Sequence, residues 1–391
     1  MSIQDSRSLS RVKPLIKESE SSPIREMMKM MEERSDLINL SAGEANFEAP
    51  TKLIELACQA MRSGRNRYTS TNGIPEIRHA IADFLEKSMQ VKIDPDKNLL
   101  LTVGGMEAIY LATRLLIHPG DEVLLPDPGW GILSPIVSRL QAVRQFYPLS
   151  SEGGWSIEAG PILDRISEKT KLIVVNTPSN PTGAIIGREA FQAVIEAAER
   201  VGAFVLSDEV YHNYLYEGEH VSALSFGAPD NVIMVNSFSK TFAVTGWRLG
   251  FVAAHPWVIR QMAVYKETIS LCSYSIGQWA LKDYLPECSE YLKHARDLCR
   301  NNMEKIVARL SAHSGVKCPI PSGGIYVFPD FSEFEPSADN LFKSMLDGGV
   351  ALVPGPFFGQ QGAGHARIMF AASPEIVDQA LDRMDNVLEK G

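Results

Sequence analysis

Cysteine is scarce here. Five are scattered through 391 residues (Cys58, Cys272, Cys288, Cys299, Cys318), and none forms a C-x-x-C pair. An odd, dispersed set argues against a disulfide framework and against the usual zinc spacings. No run approaches the roughly 20 apolar residues of a membrane span. The opening stretch "MSIQDSRSLSRVKPLIKESESSP" has no apolar core, so no secretory signal is read there and a cytoplasmic setting is expected. Basic residues do not dominate: 38 Lys and Arg face 47 Asp and Glu, a formal net charge of −9. That balance disfavours nucleic acid or an anionic membrane as the main partner, but leaves room for a small anion in a locally positive pocket. Internal repeats are missing. So are G-x-x-x-x-G-K-[ST] and G-x-G-x-x-G, so neither a nucleoside triphosphate site nor a dinucleotide site is supported.

What is present is an alternation. After a polar, Ser-rich lead-in of ~20 residues, "PIREMMKMMEERSD" (23–36) has helical spacing and "LINLSAG" (37–43) reads as extended. "IPEIRHAIADFLEKSM", "MEAIYLATRLLI" and "EAFQAVIEAAERVG" read as helices. "NLLLTV", "DEVLLPD", "TKLIVVN", "AFVLSDEVY" and "NVIMVNS" read as short buried strands. Such alternation predicts an α/β fold, a mostly parallel sheet with helices on both faces. From about residue 280 the pattern changes to long helices flanking short strands ("GGIYVFP", "ARIMFAA"), which predicts a smaller α+β domain.

Polar residues cluster just after the carboxyl ends of the strands, where open α/β sheets bind ligands. Gly104 and Gly105 precede a helix, whose N–H groups suit a phosphate, although such a pair is more often a simple turn. Arg248, Ser237 and Ser239 could bond the same anion. Asp208 ends a very apolar strand, where a carboxylate needs a partner such as a protonated ring nitrogen, or serves as a structural ion pair. Tyr211 and Asn180 can donate to a phenolate oxygen. Trp130 could stack on a ring or simply fill core. Lys240, in "NSFSKTFAVTGWRLGF", could form a Schiff base. A phosphate cradle, a carboxylate for a pyridinium, phenolate donors and an imine-forming lysine together fit pyridoxal 5′-phosphate.

At this point the chain resembles the class I/II aminotransferases, fold type I pyridoxal-phosphate enzymes, and within them the aspartate/aromatic branch. The resemblance runs from about residue 37 to the end. It rests on "LSAGEANF", "RYTSTNGIPEIRHAIA", "LTVGGMEA", "NTPSNPTG", "SDEVY", "SFSKTFAVTGWRLGF", "PSGGIYVF" and "ARIMFAAS" in the family's order. It implies an N-terminal arm (1–45) joining the small domain, a large cofactor-binding domain (46–280) and a small C-terminal domain (281–391). It further implies that Lys240 carries the cofactor as an imine and shuttles the proton, that Asp208 pairs with the ring nitrogen, and that Asn180 and Tyr211 bond the ring oxygen. Trp130 is expected to stack on the ring. Gly105, Met106, Ser237 and Arg248 are expected to hold the phosphate. Tyr68 should reach the phosphate of a second subunit in a homodimer. Arg367, helped by Asn180 and the Gly43 backbone, should clamp the substrate α-carboxylate. The implied reaction is transfer of an α-amino group between an amino acid and a 2-oxo acid. Elimination, replacement or cyclisation of an amino acid on the same scaffold is the alternative. A transcription-regulator role is disfavoured, because only a short polar stretch precedes the first helix.

Three departures concern substrate. The family's frequent "GEPDF" is "GEANF" here, with Ala45 and Asn46. Met106 stands where some relatives that take acidic substrates have lysine, and "WGILSP" places Ile132, Leu133 and Ser134 where a tyrosine is common. A reshaped distal pocket, less suited to aspartate, is expected.

Overall fold

The computed structural model describes residue 34, residues 36–151 and residues 153–389. The polar lead-in and almost all of the helix expected over 23–36 lie outside the described residues. The main sheet is built from β2 (Leu99–Thr102), β3 (Glu122–Asp127), β4 (Val143–Pro148), β5 (Thr170–Asn176), β6 (Phe204–Asp208), β7 (Val232–Ser237) and β8 (Gly250–Ala254), following a short β1 (Ile38–Asn39). Its order is β2-β8-β7-β6-β5-β3-β4. Strands β3 to β7 pair in parallel, whereas β8 runs antiparallel to both its neighbours.

Successive side chains on a strand point to opposite faces, and here both faces are apolar. Leu99, Leu101, Ile173, Val175, Val205 and Met234 pack into one core layer. Leu100, Leu172, Val174, Leu206, Ile233 and Val235 pack into the other. Helices cover both layers, among them Pro75–Met89, Gly104–Leu116 and Arg188–Arg200. A sheet buried on both sides needs such continuous apolar runs, which is why the strands were readable from the sequence.

A third core holds a second sheet. Here β9 (Tyr326–Val327), β11 (Val353–Pro354) and β12 (Ala366–Met369) pair antiparallel in the order β11-β12-β9. The 22-residue helix Ser289–Leu310 and the helix Pro374–Leu388 pack with them. Strand β1 pairs in parallel with β10 (Val350–Ala351) in a two-stranded sheet of its own. The Leu40 backbone links this pair to the second sheet: its N–H donates to the Ala351 carbonyl at 2.9 Å, and its carbonyl accepts from the Met369 N–H of β12 at 2.9 Å.

One buried ion pair sets the start of the helix Gly104–Leu116. Lys266, with no exposed side chain, donates from Nζ to Oε2 of Glu107 at 2.8 Å and to Oγ of Ser270 at 2.8 Å. The same Glu107 oxygen accepts the Val103 N–H at 2.7 Å. Removing one partner strands a buried charge, which typically costs about 3–5 kcal/mol, whereas replacing both is far milder. Lys266→Met should therefore lower the urea midpoint sharply, and Lys266→Met combined with Glu107→Gln should recover much of the loss. Equal midpoints for the single and double variants would contradict this account.

Candidate functional site

The carboxyl ends of β2, β5, β6 and β7 open into one cleft of about 460 Å³. Gly43, Gly105, Met106, Trp130, Asn180, Asp208, Tyr211, Ser237, Lys240, Arg248 and Arg367 all line it. These residues are spread from position 43 to 367, and the two sheets bring them together. Tyr68 is the exception. It is 84% exposed and does not line this cleft. A larger cleft of about 910 Å³ lies against the helix Pro75–Met89 and contains none of these groups. Chemistry rather than size therefore selects the smaller one.

The anion cradle comes from three elements. The helix Gly104–Leu116 points its first turn at the cleft, and Gly104 has φ +70°, a backbone that an L side chain rarely adopts. A Cβ there would sit 2.6 Å from an Arg248 guanidinium nitrogen. Gly250 on β8 has no room for a Cβ either, since one would lie 2.9 Å from the Gly104 carbonyl carbon and 3.0 Å from the Gly105 nitrogen. Small residues thus let β8 press the helix start towards the cleft. The third element is the short helix Phe238–Thr241. Ser237 caps it, its Oγ accepting from the Ser239 N–H at 3.2 Å and donating to the Leu249 carbonyl at 3.2 Å. The Ser239 hydroxyl is buried with no partner. An unpaired buried hydroxyl beside a guanidinium and a helix N-terminus is suited to a phosphate oxygen.

Asp208 is 5% exposed and its carboxylate accepts only a long bond, 3.4 Å, from the Val210 N–H. Burial pushes its carboxyl up to about 7, with nearby Glu209 adding to the rise and Lys240 opposing it. No cation among the described residues reaches ion-pair distance of it. A protonated ring nitrogen would supply the missing partner. Asn176 fixes the neighbourhood by donating to the Asp208 carbonyl at 3.0 Å and accepting the Asn180 N–H at 2.7 Å.

Burial lowers the Lys240 amine from 10.5 to about 8; Arg367 and Arg248 push the same way, while Glu44 and Asp208 oppose. Its Nζ donates to the Gly43 carbonyl. Arg367, 4% exposed, donates to Asn180 Oδ1 at 3.0 Å and to the Ser41 carbonyl at 2.6 Å, while its Nε has no partner. No carboxylate of the described residues pairs with it. The Gly43 carbonyl therefore serves Lys240, and the backbone beside Arg367 belongs to Ser41. Tyr211 is held as the neutral phenol by burial, and its hydroxyl lies 3.1 Å from that of Tyr326.

Tyr326, Glu44 and Thr245 line the cleft without having been singled out from the sequence. Glu44 Oε2 accepts from the Thr245 hydroxyl at 2.5 Å. Tyr326 sat in the quoted run "PSGGIYVF", but an aromatic in an apolar strand reads first as core.

A family model for aminotransferase class I and II matches residues 35–384. An aspartate aminotransferase of Pyrococcus horikoshii is 35% identical over 378 residues, covering 94% of this chain and 95% of that protein. An aspartate/prephenate aminotransferase of Thermus thermophilus is 34% identical over 356 residues, covering 90% and 91%. Among solved structures, the Thermus thermophilus aspartate aminotransferase with maleate aligns with TM-score 0.87 at 32% identity, covering 98% of this chain and 99% of that one. An alanine aminotransferase from Pyrococcus furiosus aligns with TM-score 0.90 at 30% identity, covering 97% and 100%.

The lowered amine has a direct readout. An amine-reactive probe attacks only the neutral form, so labelling of Lys240 in the ligand-free chain should rise with pH through about 8, well before ordinary lysines respond. Glu44→Gln and Asp208→Asn each remove a charge that favours the protonated amine, so each should move that midpoint down. Peptide mapping across a pH series checks this, and a Lys240 midpoint near the ordinary lysine value would refute it.

Proposed function

Because the chain belongs to the class I and II aminotransferases, and transfers an α-amino group between an amino acid and a 2-oxo acid, we propose that it does so in the cleft around Lys240, with pyridoxal 5′-phosphate bound there. The observation that carries this is the pair of buried, oppositely charged groups with no ion-pair partner among the described residues, Asp208 and Arg367, lining the same cleft as a lysine whose amine is lowered to about 8. The donor set fits the cofactor. The unpaired Ser239 hydroxyl, Arg248, Ser237 and the backbone N–H groups of Gly105 and Met106 receive the phosphate. Asp208 meets the ring nitrogen, and Trp130 covers the ring. With Asn180 Oδ1 committed to Arg367, the Asn180 amide nitrogen is the group left to donate to the ring oxygen, alongside the Tyr211 hydroxyl.

Bound there, the cofactor supplies an aldehyde for amine exchange and a ring that accepts the electron pair released at the substrate α-carbon. The rest falls to the protein. Asp208 would pair with the ring nitrogen and hold it protonated. Arg367 receives the α-carboxylate through its unpartnered Nε and remaining N–H bonds, a fork geometry that fixes the α-carbon. With the cofactor bound, Lys240 Nζ would be the general acid and base that takes and returns the substrate α-proton. The Gly43 carbonyl steers the amine towards that position. We further propose a homodimer in which Tyr68, far out on its own chain, reaches the phosphate in a second copy.

The distal wall decides the substrate class. Met106, Ile109, Ile132 and Phe357 face the cleft, and the cations lining it are Lys240, Arg248 and Arg367, all with roles already. Donors with uncharged side chains are therefore favoured over aspartate.

Two measurements test this reading. Donor added without acceptor should convert the bound cofactor to its amino form, releasing one equivalent of 2-oxo acid per active site, and Lys240→Ala should stop the conversion while the protein stays folded. A full conversion by Lys240→Ala would refute the assignment. Second, uncharged donors should exceed aspartate in kcat/KM, and Met106→Lys should raise kcat/KM for aspartate by about tenfold, the effect of one added charge-assisted contact. Aspartate as best donor of the unaltered chain would overturn the distal-wall argument.

A further inference from the structure

We propose that Tyr326 is a positioning residue that aims the Tyr211 hydroxyl with its own hydroxyl and orients Arg367 with its ring face. The inference rests on the reading above, in which Tyr211 meets the cofactor's ring oxygen and Arg367 the substrate carboxylate.

Strand geometry puts Tyr326 where it can do both. On β9 it sits opposite Met369 of β12, so Arg367, two residues back, is its diagonal neighbour on the same face. Tyr326 is 1% exposed, and the Arg367 guanidinium carbon lies 4.3 Å from its ring centroid. Phe358 flanks the same guanidinium at 5.0 Å. Two aromatic faces restrict the plane of the fork, which leaves its unpartnered Nε at a fixed angle.

The edge of the ring acts separately. The Tyr326 hydroxyl is 3.1 Å from the Tyr211 hydroxyl, the rings meeting edge-on at 5.8 Å between centroids and 80° between planes. Each phenol has a single proton to give. If Tyr211 gives its proton to Tyr326, nothing is left for an oxygen in the cleft. An anionic oxygen there selects the opposite order: Tyr326 donates to Tyr211, and Tyr211 donates to the anion. Donors in series strengthen one another, most of all in a dry site. Tyr326 thus stabilises negative charge on an oxygen that it never touches. One side chain links the group that holds the substrate carboxylate to the group that tunes the cofactor.

Two variants of the full-length, cofactor-loaded protein separate the two roles. Tyr326→Phe keeps the ring and removes the hydroxyl; Tyr326→Leu removes both. The first readout is the pH midpoint of the bound cofactor's absorbance change. Tyr326→Phe should raise it by about half a pH unit, because the anionic form loses support, and should leave KM for the amino donor within about twofold. In a Tyr211→Phe background the same substitution should add no further shift. Tyr326→Leu should in addition raise KM for the donor by about tenfold, as Arg367 loses its ring face. An unmoved midpoint in Tyr326→Phe, or a shift of equal size in the Tyr211→Phe background, would overturn the hydroxyl role. An unchanged KM in Tyr326→Leu would overturn the ring-face role. If the loaded, unaltered protein showed no pH-dependent cofactor absorbance, the reading of the cleft as a cofactor site would fail instead, so the two failures are distinguishable.

Discussion

Two buried charges of opposite sign are kept from meeting, and the site depends on that separation. Asp208 ends a strand of the main sheet and Arg367 lies in the second sheet; each is at most 5% exposed. Taking an ion out of water without a partner costs several kcal/mol, so a chain free to relax would pair them. The backbone does not allow it. Asn176 pins the Asp208 strand end, and the Asn180 and Ser41 oxygens pin the guanidinium. The Lys240 amine feels both in opposite senses: burial and Arg367 lower it to about 8, while Asp208 holds it back. In the reading proposed above, a pyridinium at Asp208 and a carboxylate at Arg367 would relieve both deficits at once.

The relatives give this arrangement its family, and the departures give it individuality. The catalytic half of the cleft is polar and charged in the way any enzyme of this chemistry requires. The distal half is not. Met106, Ile109, Ile132 and Phe357 form an apolar wall. Phe357 arrives on a turn that Asp127 straps down, accepting the Gln360 and Gln361 N–H groups at 3.2 and 3.0 Å. That strap joins the end of β3 to the second sheet's loop, so the wall is part of the scaffold rather than a loose flap. Names such as aspartate aminotransferase belong to the relatives, and the preference for uncharged donors proposed above rests on this chain's own lining.

Much of this was legible in the sequence. The strands of the main sheet were readable because a doubly covered sheet demands apolar runs, and the candidate residues because they follow those runs. Strand direction was not readable: "GFVAA" carries no mark of running backwards, yet β8 is antiparallel to both neighbours. Contacts across elements were hidden for a related reason. That the Ser41 carbonyl touches Arg367 depends on the turn built by the Asn39 side chain, which accepts the Ser41 and Ala42 N–H groups at 3.0 and 3.2 Å. Tyr326 was masked by its own apolar surroundings. Ser237 and Ser239 were both read as phosphate partners, and the Ser239 hydroxyl is buried without a partner.

The stretch 38–43 looks like a plain connector. It zips to β10, bonds β12 through Leu40, then hands one carbonyl to Arg367 and another to Lys240. Its two carbonyls are two residues apart, and each serves a different reacting group. Inserting or deleting a single residue would slide both out of step together, since neither end of the stretch is free to absorb the slack. Length in this connector is consequently under tighter constraint than side-chain identity, and drift in the family should be tolerated there as substitution but not as an indel.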